Sequence, residues 1–582
     1  MTSSTTHAPA PDSSETPVPP GLAPELARKF ADALALVKPT LDAEPPLAGD
    51  DLARALNTAA VCSLGLGRFA DAEAYWRRAI DAKPDAVEAY YSLLPVLKKD
   101  GRQPDMEALL RRLIDARPDY AEAHNDLGVV LANLDRLPEA QASYRRALAL
   151  RPDYPEACYN LGNAFKLGRR LPEAEAAYRQ ALALSPHRYE FHHNLGTVLQ
   201  MQERLPDAVE SYRFALALRP DAADTHCNLG HVLKALERLS DAEAAYRQAL
   251  ALQPGHGNAT FSLAVLLISL GRFQEGWRLY EARYQRPGYI HHRTRALLGE
   301  KHWRGDPLTG RSILVWQEDG LGDMIQFGRY FRLLKVYGAK RVTFACTRAL
   351  HRLFRAVDGV DEVLGHEEAR ARLAGYDCWT SPLSLPLHLL TTADAIPPAL
   401  PLRAGRDLVE RWRPRLAALP HGRRIGLVWK GNPKHHNDAH RSLPSLATLA
   451  PLWRVPGLHF VSLQKGPGED EAQSPPAGQP LLHLGAEVED LADSAAVLDQ
   501  LDLVICVDTA VAHLAASLGK PCWVMLPKKD PDWRWMHGRA DSPWYPGVMR
   551  LFRQSSTAGW DDVVEQIRLG CEAVWGTGTA GA

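Results

Sequence analysis

The sequence lacks several features that would place a protein of 582 residues in a common class. Its 68 Lys and Arg residues are matched by 69 Asp and Glu, so it has no basic excess for binding a nucleic-acid backbone. Its 8 cysteines include no C-x-x-C pair, which is typical of reduced, buried thiols. No apolar run approaches the roughly 18 residues of a membrane span, and no signal-peptide pattern opens the chain. These absences predict a cytoplasmic protein without a nucleic-acid partner or a membrane span.

An internal repeat dominates the first half of the chain. Prolines recur every 34 residues, at Pro84, Pro118, Pro152, Pro186, Pro220 and Pro254. Tyrosines keep the same step from Tyr144 to Tyr280, and so do glycines from Gly128 to Gly230. A period of 34 residues is that of the tetratricopeptide repeat, a pair of antiparallel helices. The small residues are expected where the two helices cross, because a larger side chain would push the helix axes apart.

The repeats carry a series of amide side chains. Asn160, Asn194 and Asn228 precede the Leu-Gly pair of successive units, and Asp126 holds the same place one unit earlier. Repeats of this kind stack into a superhelix with a concave surface. An amide both donates and accepts hydrogen bonds, so these three residues are predicted to bind an extended peptide backbone. The alternative is that asparagine only occupies a solvated face.

The pattern changes at Arg311 to strands that alternate with helices, which indicates an α/β fold with parallel sheets. Apolar strands are predicted at 313–317 and 341–346, and a second series at 425–429, 458–463, 503–507 and 522–526. A Pro-rich stretch at 396–402 separates the two series. Two sheet domains joined by a linker leave a cleft between them, where ligands of such folds bind.

A glycine turn follows the first strand, with Gly320, Gly322 and Gln326 as its predicted cleft residues. It is not a dinucleotide fingerprint, because Ile325 stands where that motif needs glycine. The turn places the carboxylate of Asp323 at the start of the helix predicted over 323–337. The alternative role for Asp323 is an ordinary N-cap.

A second cluster follows the strand at 503–507. Asp508 or Thr509 is predicted to cap the next helix, whose free N–H groups and positive dipole end form a phosphate site. Ala510 lies in its first turn, and His513 adds a donor on the same face; a structural histidine is the alternative.

Here the sequence resembles a known enzyme family. The Gly320–Asp323 turn, the segment from Asp508 to His513 and Leu518-Gly-Lys-Pro521 look like the heptosyltransferase type of two-domain GT-B glycosyltransferases. This resemblance implies that Asp323 is the base on the acceptor hydroxyl. It also implies that Asp508, Thr509, Ala510 and His513 hold the donor diphosphate. The order of repeats and enzyme is also similar to that of protein O-GlcNAc transferase.

The segment between Trp429 and Pro444 departs from the family pattern, being longer and more polar than a strand-to-helix turn needs. Lys430, Asn432 and Arg441 are predicted donor contacts, against the alternative of a solvated loop. Its histidines 435, 436 and 440 keep no established metal-ligand spacing. Further along, Trp533 and Arg534 are possible sugar contacts, with core packing as the alternative. The D-x-D pair of Asp530 and Asp532 is flanked by lysines, so no metal is predicted there either.

The resulting prediction is an inverting, metal-independent glycosyltransferase that uses a nucleotide-diphosphate sugar as substrate and needs no cofactor. Its acceptor is predicted to be a protein bound by the repeats. The alternatives are a scaffold with a silent GT-B domain, and a lipopolysaccharide or glycan glycosyltransferase. The predicted domains are a disordered tail (1–21), an irregular helical segment (22–51), about seven tetratricopeptide repeats (52–289), a connector (290–310), an acceptor-side Rossmann-like domain (311–395), a linker (396–422), a nucleotide-sugar-side Rossmann-like domain (423–575) and a flexible tail (576–582).

Overall fold

The computed structural model describes residues 23–42, 47–286, 290–435, 437–556 and 559–575. The predicted tails at 1–21 and 576–582 therefore lie outside the described residues. The chain divides into two compact units, Met1–Asp221 and Ala222–Ala582. No helix in the described ranges is both long enough and apolar enough to cross a membrane.

The first unit is helical throughout its described part. Its helices are α1 (Pro24–Leu41), α2 (Gly49–Gly65), α3 (Phe69–Ala82), α4 (Val87–Lys99), α5 (Gln103–Ala116), α6 (Ala121–Asn133), α7 (Leu137–Leu150), α8 (Pro155–Leu167), α9 (Leu171–Leu184), α10 (Tyr189–Met201) and α11 (Leu205–Leu218). From α2 onward they form antiparallel pairs with the 34-residue period of the sequence. Proline in the first turn of α7, α9 and α11 suits a position where no backbone N–H is needed.

Close helix packing explains the recurring Gly and Tyr. A Cβ atom added at Gly162 in α8 would lie 2.7 Å from the Tyr178 ring of α9, and one at Gly196 would lie 2.9 Å from the Tyr212 ring. Both tyrosines are fully buried. Glycine is thus required where the tyrosine of the second helix rests directly on the backbone of the first.

Each turn inside a helix pair contains one residue with a left-handed backbone. These residues also recur every 34 positions: Gly67, Gly101, Asp135, Arg169, Glu203, Glu237 and Gly271. Glycine adopts this conformation without strain, whereas the four residues with side chains adopt it at a cost.

The second unit begins with two further helix pairs and continues into the α/β region. Its repeat helices are α12 (Ala223–Ala235), α13 (Leu239–Leu252), α14 (Gly257–Ser269) and α15 (Phe273–Tyr280), followed by a 3₁₀ helix at Glu281–Gln285 and by α16 (Ile290–Leu298). The predicted boundary at residue 289 therefore falls inside this compact unit.

The first sheet contains four parallel strands in the order β3-β2-β1-β4. Its elements are β1 (Ser312–Trp316), α17 (Leu321–Phe327), a 3₁₀ turn (Gly328–Tyr330), α18 (Phe331–Val336), β2 (Arg341–Ala345), α19 (Arg348–Phe354), β3 (Glu362–Leu364), α20 (His366–Ala371), a 3₁₀ turn (Leu373–Gly375), β4 (Cys378–Thr380), a 3₁₀ turn (Pro382–Ser384) and α21 (Leu385–His388).

The second sheet contains six parallel strands in the order β10-β9-β8-β5-β6-β7. Its elements are α22 (Arg406–Ala417), β5 (Arg423–Val428), α23 (Asp438–Arg441), a 3₁₀ helix (Leu446–Arg454), β6 (Leu458–Ser462), α24 (Glu469–Gln473), β7 (Leu481–His483), α25 (Leu491–Leu498), β8 (Leu503–Val507), α26 (Ala510–Ser517), β9 (Cys522–Leu526), a 3₁₀ turn (Trp533–Trp535), β10 (Met549–Arg553) and α27 (Asp561–Trp575). Repeats followed by parallel sheets confirm the predicted fold class.

The helix predicted over 323–337 is interrupted. α17 begins two residues earlier, and the 3₁₀ turn at Gly328–Tyr330 separates it from α18. Gly328 is closely packed, since an added Cβ would lie 2.9 Å from Leu400 and 3.1 Å from Phe354. The buried side chain of Arg329 donates to the carbonyl oxygen of Trp544 at 3.0 Å. Contacts with distant residues therefore replace the regular helix that local periodicity predicted.

Candidate active site

The acceptor-side turn follows β1, an interior strand of the first sheet. β1 ends at Trp316, and the extended residue Gly320 is the N-cap of α17. Asp323 is therefore the third residue of α17 and not its N-cap, which excludes the alternative role. Its carboxylate lies beyond the carboxyl end of a parallel strand, where ligands of open α/β sheets bind.

The donor-side turn follows β8, an interior strand of the second sheet. Thr509 occupies the N-cap position of α26, as predicted, but its hydroxyl makes no hydrogen bond to the helix. Within the described residues, that hydroxyl is buried and has no hydrogen-bond partner. The first amides of α26, beginning at Ala510, therefore have no side-chain cap, and the positive end of the helix dipole remains available to an anion.

The two turns meet at Gly322. A Cβ atom added there would lie 2.8 Å from Cδ2 of His513 and 3.3 Å from Cα of Ala510. Since Gly322 precedes Asp323 directly, the absence of a side chain allows the helix with the carboxylate to touch the start of α26. The structure thus brings together the two clusters that the sequence placed in separate sheets.

Arg534 joins the same site from the loop after β9. Its guanidinium group forms a short ion pair with Asp323, and its Nη1 lies 2.7 Å from Oδ2 of Asp532. Its Nε donates to Oε1 of Gln326 at 2.9 Å. Arg534 is buried, and its guanidinium group makes all three contacts. The sequence had indicated this residue as a possible sugar contact.

Burial dominates the ionisation of the site. It raises the pKa of Asp323 to about 7, and the carboxylates of Asp319, Asp532 and Asp508 act in the same direction, whereas Arg534 opposes them. Burial likewise raises the pKa of Asp508, with Asp532 contributing. One arginine thus neutralises several carboxylates. A pKa of about 7 suits a carboxylate that accepts a proton near neutral pH.

His513 is a neutral, buried residue in this structure. Its ring stacks on Trp535 with centroids 5.4 Å apart, and its Nδ1 lies 3.1 Å from the Tyr545 hydroxyl. Burial holds its pKa well below the usual range, and the charges of Arg534 and Arg329 add to this effect. His513 can therefore offer a hydrogen bond at the start of α26, but not a positive charge at neutral pH.

The polar segment after β5 only partly reaches the site. Lys430 pairs with Glu471 at 2.5 Å. Asn432 is exposed, and its Oδ1 accepts from the backbone N–H of Lys434 at 3.0 Å. Nε of Arg441 lies 3.3 Å from Oδ1 of Asp438, and the charge of Arg441 also lowers the pKa of Asp508. Arg441 therefore acts on the donor-side turn through its charge, whereas Lys430 and Asn432 have other contacts.

Trp533 lies in a buried aromatic cluster, not on an open sugar-binding surface. Its ring meets Trp277 edge-on at 5.4 Å, and Tyr280, Phe327 and Trp544 complete the cluster. The structure therefore gives Trp533 the alternative role, which is core packing. The cluster fixes the turn that carries Arg534 against the last repeat.

The possible metal-binding residues have other partners. Asp530 pairs with Lys234 of α12 at 2.9 Å, and Asp532 pairs with Arg534. His436 lies outside the described residues. In the part of the chain that the structure describes, no group of three or more His, Cys, Asp or Glu side chains is arranged to hold a metal ion.

The amide series of the repeats is half-buried. In the first unit, Asn160 Nδ2 donates to Oδ1 of Asn125 at 3.0 Å, and Asn194 Nδ2 donates to the Tyr159 hydroxyl at 2.9 Å. Asn228 lies on α12 in the second unit. A peptide would have to exchange some of these internal hydrogen bonds for its own.

Sequence reasoning missed a buried ionic cluster beside the acceptor-side turn. Arg283, fully buried, lies 3.3 Å from Oε2 of Glu318 and 2.6 Å from Oε1 of Glu281. His291 of α16 lies 3.3 Å from Oδ1 of Asp319 and 3.5 Å from Oε2 of Glu318. The acidic pair directly before Gly320 was the available signal, but its cationic partners lie outside any local motif.

A cavity of about 500 Å³ opens next to this cluster. One wall is the face of α16 that carries Arg293, Thr294 and Leu297. The other walls follow the carboxyl ends of the first three strands and include Trp316, Gln317, Glu318, Asp319, Thr347 and His366. The cavity thus lies at the carboxyl edge of the first sheet, and its lining includes Asp319, four residues before Asp323.

Comparison with known proteins agrees with this architecture. Models described as tetratricopeptide repeat match residues 27–87, 63–105, 155–188, 189–255 and 227–288, and a model described as TPR repeat matches 134–168. The helix pairs are tetratricopeptide repeats. The model described as glycosyltransferase family 9 (heptosyltransferase) matches residues 476–526, which include β8 and α26. This match supports glycosyltransferase activity.

Protein FlbA of Caulobacter vibrioides is 28% identical over 324 residues, which are 52% of this chain and 52% of that protein. The chain thus matches about half the length of this relative. Among solved structures, YrrB, a TPR protein with an unusual peptide-binding site, is 20% identical, with 32% of this chain and 97% of that chain covered and a TM-score of 0.28. PilF of Pseudomonas aeruginosa is 22% identical, with 36% of this chain and 96% of that chain covered and a TM-score of 0.31.

Proposed function

We propose that the protein is an inverting glycosyltransferase that moves a sugar from a nucleotide-diphosphate donor to a hydroxyl or amide group of a protein acceptor. One observation carries the proposal. Gly322 packs against the uncapped start of α26, and the next residue, Asp323, has a carboxylate with a pKa of about 7. A base on one side and an anion site on the other are what a displacement at a sugar carbon needs.

The donor diphosphate would lie at the start of α26. The amides of Ala510 and the residues after it, the free hydroxyl of Thr509 and the ring of His513 offer hydrogen bonds there. Arg441 adds a positive charge nearby. Because these groups offset the charge of the leaving diphosphate, the proposal needs no metal ion. The expected result with a chelator present is an unchanged rate.

The acceptor would approach through the cavity between α16 and the first sheet. Its hydroxyl oxygen forms a bond to the anomeric carbon of the sugar while Asp323 takes the hydroxyl proton. The bond from that carbon to the diphosphate oxygen breaks, and its electron pair leaves with the diphosphate. Attack opposite the leaving group inverts the anomeric configuration.

The repeats would select the acceptor. Their half-buried amides, Asn160, Asn194 and Asn228, can bind an extended backbone once their internal hydrogen bonds are exchanged. Replacing all three by alanine should weaken transfer to a protein acceptor and leave donor hydrolysis unchanged. Equal transfer by this variant and the parent would remove these residues from the proposal.

A panel of nucleotide sugars tests the enzyme itself. The expected result is release of nucleotide from at least one donor, and a roughly hundredfold or greater loss of turnover in Asp323→Asn with donor affinity retained. Asp358→Asn is the matched control, because Asp358 is exposed at the surface of the same domain. No release from any donor, or full turnover by Asp323→Asn, would overturn the proposal.

A further inference from the structure

The ionic cluster beside the acceptor-side turn has no role in the transfer step described above. It links the segment after the last repeat to the residues directly before Gly320. Arg283 and His291 belong to that segment, and Glu318 and Asp319 belong to the turn. All four residues lie within one compact unit.

We propose that His291 is a positioning residue, which holds and neutralises Asp319 and thereby sets the proton affinity of the base Asp323. This inference rests on the proposed function of Asp323. His291 itself touches neither donor nor acceptor in the proposed reaction. It acts through one carboxylate, which lies four residues before the base.

Two contacts hold Asp319 in its position. Nε2 of His291 lies 3.3 Å from its Oδ1, and the Gln317 side chain donates to its backbone carbonyl at 3.0 Å. His291 is itself fixed from the other side, because its Nδ1 lies 3.5 Å from Oε2 of Glu318. The turn is thus tied to α16 at two successive carboxylates.

Glu318 is fixed independently of His291. Arg283 lies 3.3 Å from the same Oε2 and also donates to Ser384 Oγ at 2.6 Å and to the Tyr284 hydroxyl at 2.7 Å. Arg283 and Glu318 side chains are completely buried. Loss of the imidazole should therefore leave the backbone of the turn supported while removing the charge that faces Asp319.

The charges around the base determine the sign of the effect. Asp323 is faced by Arg534, Asp319, Asp532 and Asp508, and by the Tyr280 hydroxyl. Asp319 raises the pKa of Asp323 because it is a like charge. The cation on His291 opposes that repulsion.

His291 is charged at neutral pH. Burial alone lowers its pKa, but the ion-paired carboxylates of Asp319 and Glu318 outweigh burial and raise it to about 9. The Tyr284 ring meets the imidazole edge-on with centroids 6.5 Å apart, and Arg283 contacts the same Oε2 of Glu318. The imidazolium therefore persists through the range in which Asp323 titrates.

The test compares pH profiles of turnover. His291→Gln should move the acid limb upward by about one pH unit, because it leaves Asp319 uncompensated. Asp319→Asn should move the limb downward by a similar amount. The double variant should lie near the parent, since the second change removes the charge that the first one exposed. His291→Lys, which keeps a cation, should restore most of the parent profile.

His292→Gln is the matched control, because His292 is the exposed neighbour of His291 on α16 and its Nδ1 lies 3.1 Å from the Tyr284 carbonyl oxygen. A merely structural role for His291 predicts a lower rate at every pH with an unmoved limb. That result would overturn the inference, and so would a double variant that keeps the upward shift of His291→Gln, because His291 would then act on Asp323 without Asp319.

A second measurement does not depend on turnover. Carbodiimide reacts with protonated carboxyl groups, so the pH dependence of labelling at Asp323, followed by mass spectrometry, reports the same ionisation. The labelling curve should shift with His291→Gln and Asp319→Asn as the rate does. If the parent releases no nucleotide from any donor, the proposed function fails, and the labelling shifts still decide the role of His291.

Discussion

Removing the cation beside Asp323 should move the pH dependence of the reaction and leave its maximum rate largely intact. If Asp323 is the base, as proposed, it must be ionised to accept a proton, and its pKa is about 7, so turnover of the parent should rise tenfold per pH unit below pH 7 and level off above it. Arg534 lowers that pKa, because its guanidinium group is in direct contact with the carboxylate. Arg534→Gln should therefore raise it.

The size of the shift follows from the contact. Two unit charges about 4 Å apart interact by about 4 kcal/mol at an effective dielectric constant near 20. One pKa unit corresponds to about 1.4 kcal/mol, so a shift of about two units is expected after the neighbouring dipoles readjust. At pH 7 the ionised fraction of Asp323 then falls from about one half to about one hundredth. Turnover should fall roughly fiftyfold at pH 7 and recover above about pH 9.

The assay is nucleotide release under saturating donor across pH 5 to 11, with thermal melting at each pH. Arg534→Lys should keep most of the parent profile, because it retains the charge. Arg539→Gln is the control for the loop, since Arg539 pairs with Asp541 on the surface. An acid limb that stays at the parent position in Arg534→Gln would refute the argument, whatever the absolute rate.

Three further predictions concern the packing and the ionic cluster. Gly322→Ala places a Cβ 2.8 Å from the His513 ring, so turnover should fall about a hundredfold as Asp323 is displaced, measured by nucleotide release. His291 has a raised pKa, so its stabilising effect is complete below pH 6.5 and is lost as pH rises through about 9; urea midpoints of His291→Gln should lack this decline. Gly162→Ala should destabilise the repeats by about 1–3 kcal/mol, because its Cβ lies 2.7 Å from a buried ring, measured by urea unfolding.

Each of these predictions has a control within the chain. Gly375→Ala meets no atom within 4 Å, and Gly168→Ala meets its nearest atom at 3.4 Å, so both should be nearly neutral. His292→Gln should keep the decline in stability between pH 6.5 and about 9 that is ascribed to His291. Parent-like turnover of Gly322→Ala would mean that the two turns move apart freely.

Much of the fold was predictable because its signals are local and repeated. The 34-residue period reports helix packing directly, since each glycine lies under a tyrosine of the next helix. The strands predicted at 503–507 and 522–526 coincide with β8 and β9, because buried parallel strands are continuous apolar runs bounded by turn residues.

The candidate site was predictable only for residues that follow a strand directly. Asp323, Thr509 and His513 could be placed because a parallel strand determines where its next turn lies. The partner of Asp323 could not be predicted, since Arg534 is 211 residues away and lies in a segment whose aromatics suggested sugar binding. Lys430 likewise pairs with Glu471 of α24, a contact with a distant helix that no local pattern reports.

The left-handed turns inside the repeats show where thermostability could be engineered. Three of the seven equivalent positions carry glycine, so that residue is already compatible with the turn. A side chain in this conformation costs about 1–2 kcal/mol, less for aspartate. Replacing that residue by glycine removes the strain, but the larger conformational entropy of glycine in the unfolded chain offsets part of the gain. Glycine at positions 135 and 169 should therefore give small additive gains in heat tolerance. Glu237 should be kept, because it pairs with Lys528 at 2.6 Å and so connects the sixth repeat to the loop after β9.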